Sequence, residues 1–301
     1  VVDLEFDAAS GRWVDRFASG LDTLRVRTAV YPDGLGRVVG EGRRTGDAWD
    51  GGGGLLTMGP LKVITDGSLG TRTAHCCEPY PGALAGDAPH GKQNVPPEEL
   101  HDLLATATGH GLRVALHAIG DAAVAIALRA FEATGARGSI EHAQLTTTDQ
   151  IATMARLGVR ASVQPAHLLE DRDLVPRCWP GREDRCFRLR SMLDAGVDVA
   201  LGSDAPVSPL DPWLEMAVAV HRSGDDRPPW VPGQAITAAE ALAASTDGWG
   251  TVAAGHPADL VALDRDPLGA PVDDTAAAAA LLRDVPVALT LVAGRTVHDA
   301  R

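Results

Sequence analysis

Apolar and polar positions along the chain follow two periods, and the switch between them divides the sequence. Short runs with strand character stand at residues 1–6, 23–31, 61–65, 112–116, 139–142, 159–164 and 197–201. Stretches with the helical period fall at 8–20, 96–110, 122–131, 148–156, 187–195, 211–221 and 237–245, so strands and helices alternate. Local punctuation supports several of these elements. Pro96-Pro97-Glu98-Glu99 is a helix start, with Leu100, Leu103 and Leu104 as the apolar stripe behind it. Thr237 with Glu240 three residues on is a capping box. Residues 32–54, rich in Gly, Arg and Asp and ending in Gly51–Gly54, read as a mobile surface loop able to lie over a site; 66–74 and 165–185 read as further loops. Ala276–Ala280 reads as one helical turn or two.

Alternating strands and helices imply parallel strands joined by right-handed crossovers. The strand count is seven over the alternating region, whereas eight would close a barrel. The expected fold class is therefore α/β, a (β/α)8 TIM-type barrel over residues 1–250 that lacks its first strand. After Gly255 the alternation stops. Residues 258–264 and 286–297 read as antiparallel strands, with a hairpin turn at Ala293-Gly294, so residues 251–301 belong to a small β domain. The chain opens Val1-Val2-Asp3-Leu4, with neither Met nor a signal segment. The expectation is that it is the C-terminal part of a longer protein.

Composition narrows the class. The chain has 301 residues, is 45% hydrophobic, and carries a formal net charge of −13. That charge disfavours nucleic acid and anionic membrane surfaces as partners. No apolar run approaches the length of a membrane span. These features suit a soluble cytoplasmic enzyme with a small-molecule substrate, and they leave a homodimer open. The four cysteines, Cys76, Cys77, Cys178 and Cys186, lack the paired C-x2-C spacing of a structural zinc site. Free thiols are preferred over a Cys178–Cys186 disulfide.

The chemistry concentrates at strand ends. His117 closes the run 112–116, His142 closes 139–142, Asp204 follows 197–201, and Lys62 lies inside 61–65. The C-terminal ends of parallel strands share one rim, where barrel enzymes place their reacting groups. Two imidazoles and a carboxylate are the donors a catalytic zinc takes, with a position left for water. A lone strand-end histidine is more often structural; two in one pattern, beside an Asp and a Lys, favour a metal. His167, after Gln164-Pro165, could face the same site and meet substrate. Asp121 and Glu141 neighbour the histidines in sequence and could orient them.

The motifs KVITDGSLGTRTA, LRVALHAIGDAAV, SIEHAQL, ASVQPAH, LGSDAPVSPLDPW, ITAAEALAAST and ADLVALDRDPL together resemble the amidohydrolase superfamily. They are most similar to its amidohydrolase family 3, which includes YtcJ-like and N-substituted formamide deformylase-like members. The resemblance covers residues 61–301 and implies a distorted barrel joined to a β-sandwich built from both chain ends. It also implies one or two divalent metals, zinc first, held by Lys62, His117, His142 and Asp204, with Lys62 carboxylated where it bridges two ions. The implied reaction is hydrolysis of a carbon–nitrogen bond other than a peptide bond. A metal-activated water attacks, Asp204 acts as general base, and Arg72 with the 67–73 loop meets the substrate. The rivals are a non-catalytic binding or regulatory barrel and an ester, lactone or phosphotriester hydrolase on the same scaffold. The family's His-x-His pair on the first strand is absent from this sequence. The coding sequence upstream of Val1 should therefore encode a His-x-His within about one or two hundred residues, a distance set by ordinary domain size. An upstream frame without that pair would count against the class.

Overall fold

A computed structural model describes residues 1–6, 10–82, 88–249 and 252–301. Seven strands form one parallel sheet: β1 (Val2–Asp3), β2 (Val26–Val30), β3 (Leu56–Ile64), β4 (Val114–Ala118), β5 (Gly138–His142), β6 (Arg160–Val163) and β7 (Val199–Leu201). They lie side by side in chain order, the order of a singly wound βα barrel wall. The sheet curls into an open half-barrel. Asp247 shows the curl, because it bridges Arg27 on β2 and Arg160 on β6 at 2.7 Å each. In a flat sheet those strands would stand about 19 Å apart.

The helices are α1 (Ser10–Ala18), α2 (Pro32–Gly40), α3 (Pro97–Gly109), α4 (Asp121–Thr134), α5 (Thr148–Leu157), α6 (Leu168–Cys178), α7 (Leu189–Asp194), α8 (Pro212–His221), α9 (Ala238–Ala244) and α10 (Thr275–Asp284). All but α1 and α6 bury residues in the main core behind the sheet, whereas α6 packs on the loops after β3, β4 and β5. Capping boxes start α5 (Thr147 with Gln150) and α9 (Thr237 with Glu240), each satisfying otherwise orphaned N–H groups. The second sheet is antiparallel, order β10-β9-β8, from β8 (Leu260–Leu263), β9 (Val287–Val292) and β10 (Arg295–Asp299). Its hairpin turns at Ala293 and Gly294, with φ of 50° and 77°, the positive pair a two-residue turn requires. None of the described helices is long and apolar enough to cross a membrane. The four cysteines are free thiols.

Two expected loops contain helices. Residues 32–40 form α2, started by Pro32 at its first turn and held by buried Leu35 and Val38. Residues 165–178 form a 3-10 turn, Pro165–His167, followed by α6, whose buried face is Leu168, Val175 and Cys178. In each the stripe is only two or three residues wide, and three glycines or Pro176 obscured it. The alanine run extends into the ten residues of α10, longer than the one or two turns expected, because Asp274 caps its start and Ala278, Ala279 and Leu282 are buried. β1 is shorter and β3 longer than the runs read from sequence. The expected helix start at residue 8 and the expected boundary at 250/251 lie outside the described residues.

The pleat gives the sheet its two faces. Leu61, Val63, Val114, Leu116, Ile140, Ala161, Val163 and Val199 are buried in the main core against the helices. The alternate residues face into the curl. Ile64, His117, Glu141, Ser162 and Ala200 are successive register partners on one rung; Lys62, Ala115, Ser139 and Arg160 form the rung below. The outer face is thus continuous apolar packing and the inner face carries the polar groups. Replacing Leu116, which is fully buried, with Ala should lower unfolding free energy by about 2–5 kcal/mol. Urea unfolding checks this, and a near-neutral result would contradict the assignment of the two faces.

Candidate active site

His117 lies on the inner pleat of β4, one rung above Lys62. His142, by alternation from Glu141, would point to the opposite face. It does not, because it and Ala143 take left-handed φ of 72° and 42°. The strand breaks its extended run there, and the His142 ring meets the His117 ring edge-on, 4.5 Å between centroids. His167 closes the 3-10 turn after β6 and lies nearly parallel to His142, 6.0 Å away. Asp204, three residues past β7, also takes a left-handed φ, 53°. The curl brings these strand ends together. Ligand atoms of His142, His167 and Asp204 all lie within 4.8 Å of one another. Two metal–ligand bonds of about 2.0–2.2 Å span up to about 4.4 Å, so small movements would close the three on one ion.

The donors are in the right chemical state. Nδ1 of His142 and Nε2 of His167 are buried without a hydrogen-bond partner. Burial holds His142 well below the ordinary imidazole range, reinforced by His117, Lys62 and His167. His117 is pushed down to about 4 by burial and the Lys62 charge, and burial lowers His167 as well. Neutral rings with free lone pairs are what a metal needs. The two orphaned nitrogens therefore fit a divalent cation, and their burial leaves them no other partner.

His117 is oriented from behind. Its Nε2–H donates to the Gly67 carbonyl at 3.1 Å, and Asp66 Oδ1 lies 3.4 Å from the same nitrogen. Asp66 was not singled out from the sequence. It is fully buried and accepts from the N–H groups of His75 (2.8 Å), Gly120 (2.9 Å) and Ile119 (3.1 Å). Its carboxylate ties the loop after β3 to the loop after β4, which fixes the backbone around His117. Burial raises its carboxyl to about 7 against those three bonds. The available signal was a carboxylate just beyond a strand, the position that also marked Asp204.

The remaining candidates divide. Lys62 is buried; burial lowers its pKa, and Glu141 and Asp204 lie close enough to oppose that shift. Asp204 is raised by burial, with Lys62 pulling it down and Glu141 and Glu5 pushing it up. Lys62, Glu141 and Asp204 therefore share one electrostatic pocket. Glu141 also accepts from Ser139 Oγ on its own strand. Asp121 bonds elsewhere: its oxygens take Cys77 N–H at 2.8 Å and Arg185 at 2.6 Å, joining outer loops. Arg72 is exposed at φ 55° on the loop after β3, and its side chain meets no partner among the described residues.

A cluster of histidines and a carboxylate at the C-terminal rim of a βα half-barrel is a donor set that could hold a metal ion. The Amidohydrolase family profile matches residues 22–298, and the chain belongs to that family. It is 34% identical over 207 residues to Protein LONG AFTER FAR-RED 3 of Arabidopsis thaliana, 64% of this chain and 34% of that one. It is 34% identical over 215 residues to N-substituted formamide deformylase of Arthrobacter pascens, 65% of this chain and 38% of that one. Among solved structures, an uncharacterized metal-dependent hydrolase from Pyrococcus furiosus superposes with a TM-score of 0.68 at 31% identity, covering 78% of this chain and 47% of the other. The chain thus spans less than half the length of each of these proteins.

The depressed histidines fix a pH dependence. A proton competes with a metal only below the folded-state pKa of its ligand. Metal affinity should therefore hold as pH falls through 6.5, the ordinary histidine value, because burial holds both His142 and His167 below it. Zinc-binding isotherms at pH 7, 6 and 5 check this; a loss centred near pH 6.5 would contradict it.

Proposed function

We propose that the protein containing this chain is a metal-dependent hydrolase of amide-type carbon–nitrogen bonds, other than peptide bonds, in small molecules. The observation that carries the reading is the convergence of His142, His167 and Asp204 with two unpartnered buried ring nitrogens. The similarity to an enzyme named as an N-substituted formamide deformylase supports the bond type. His142 through Nδ1, His167 through Nε2 and one Asp204 oxygen would hold the cation, with His117 beside His142 and Lys62 behind. Zinc suits this donor set. Bound there, the ion supplies a Lewis acid that lowers the pKa of a water towards neutrality and polarises a carbonyl.

The chain's own groups supply the proton transfers. A carboxylate oxygen of Asp204 accepts a proton from the attacking water and returns it to the leaving nitrogen. Burial raises the Asp204 carboxyl, which makes its carboxylate a stronger base for the first transfer, and nearby Lys62 keeps the ionised form accessible. Lys62 is shifted towards the neutral amine, the form that adds carbon dioxide to give a carbamate. His117 and Asp66 keep the loops after β3 and β4 in register around the site.

The test uses zinc-loaded protein against a panel of N-substituted amides and esters of matched size, with elemental analysis of metal content. Near-stoichiometric zinc and amide turnover are expected. Asp204→Asn should stay folded by circular dichroism yet lose turnover by about 10²-fold or more. Turnover of esters alone would displace the bond assignment, and wild-type rates in the Asn variant would remove Asp204 as the base.

A further inference from the structure

One buried carboxyl group has no part in the chemistry above. Glu215 lies on α8 and is 1% exposed. Its Oε2 accepts from the backbone N–H of Ala166 at 2.9 Å. Its Oε1 is buried and unpartnered. No lysine, arginine or histidine pairs with it among the described residues. A carboxyl group in such a place is expensive to bury, and the neighbouring α8 positions are Met216, Ala217 and Val218, all buried. A leucine or methionine would meet the packing needs of that face at lower cost. The acid is kept at a position where it does one visible thing, which is to hold Ala166.

Ala166 is the residue before His167 in the 3-10 turn Pro165–His167. Such a turn is short and its hydrogen bonds are poorly aligned. Pro165 has no N–H to contribute, and the His167 N–H closes the turn on Gln164 O at 3.1 Å. The bond from Ala166 to Glu215 is what fastens the turn to α8, which packs directly against it. We infer that Glu215 is the positioning residue for His167, anchoring the 3-10 turn so that Nε2 stays in reach of His142 and Asp204. This rests on the metal reading above for its functional meaning and on the Ala166 contact for its geometry.

The experiment compares Glu215→Gln, Glu215→Met and His167→Ala with the wild-type chain. Zinc affinity is read by competition with a chromophoric chelator, thermal stability by circular dichroism. The His167 ring signals of the metal-free chain are read by 15N NMR. Glutamine keeps an acceptor for the Ala166 N–H; methionine keeps the volume and removes the acceptor. Glu215→Met should lose about 10- to 100-fold in zinc affinity, the range seen when support behind a ligand is removed, and its His167 signals should shift. Glu215→Gln should retain affinity and signals close to wild type. Wild-type affinity and unshifted His167 signals in Glu215→Met, with only a lower melting temperature, would make Glu215 a packing residue and overturn the inference. Should Glu215→Met fail to fold, Glu215→Gln decides, since a loss as large as that of His167→Ala would also overturn it. If the wild-type chain takes up no zinc, the metal reading falls by itself. The positioning claim then stands or falls on whether the His167 signals move in Glu215→Met but not in Glu215→Gln.

Discussion

The site depends first on the two-faced pleat of one parallel sheet. Leu61, Val63, Val114, Leu116, Ile140 and Val163 saturate the outer face against helices, so the inner face is where Lys62, His117, Ser139 and Glu141 must go. A slip of one residue in the register between β3, β4 and β5 would exchange Leu116 with His117 and Ile140 with Glu141. It would expose apolar area and bury charge in the same step. Stability of the fold and aim of the site are therefore one constraint. The curl then supplies what a flat sheet could not, since it brings the ends of β5, β6 and β7 onto one point.

Burial sets the electrostatics. A charged imidazole is penalised in a desolvated cavity, and the neighbouring Lys62 adds to the penalty, so the histidines stay neutral. Lys62 itself is tolerable only because Glu141 and Asp204 face it. Two further carboxyl groups, Asp66 and Glu215, accept hydrogen bonds from backbone N–H groups. Asp66 fixes the loop next to His117, and Glu215 fixes the turn that carries His167. Both are raised by burial to about 7. The loops of the rim thus hang on buried acids, while the strands supply the polar groups of the inner face.

Much of this was legible in the sequence, for an identifiable reason. Period-two runs ending on His117, His142 and Asp204 announce both the strands and the side chains at their tips, because strand period and strand-end chemistry are local properties. α2 and α6 were not legible as helices. Their apolar stripes, Leu35 with Val38 and Leu168 with Val175 and Cys178, are short, and glycines or a proline interrupt them. The helices form because tertiary burial outweighs weak propensity. His167 was read as a residue that meets substrate. The 3-10 turn, invisible to periodicity, carries it to the other donors. Asp66 and Glu215 escaped because their partners are backbone N–H groups far along the chain, 49 residues away in the case of Glu215 and Ala166.

The left-handed residues explain the last step from fold to site. His142, Ala143 and Asp204 adopt positive φ without being glycine, a conformation that costs of order 1–2 kcal/mol per residue. Glycine would relieve it, but glycine has no imidazole or carboxylate to offer. The strain persists because the flanking backbone is over-determined: β5 is paired on both sides through Glu141, and Val163 O, at the end of β6, receives the Gly202 N–H just before Asp204. Where the strand stays regular, at Lys62, His117 and Glu141, side chains keep to the pleat and line the inner face. Where it breaks, at His142 and Asp204, they leave the pleat and converge. The convergence of His142 and Asp204 thus follows from where each strand ends.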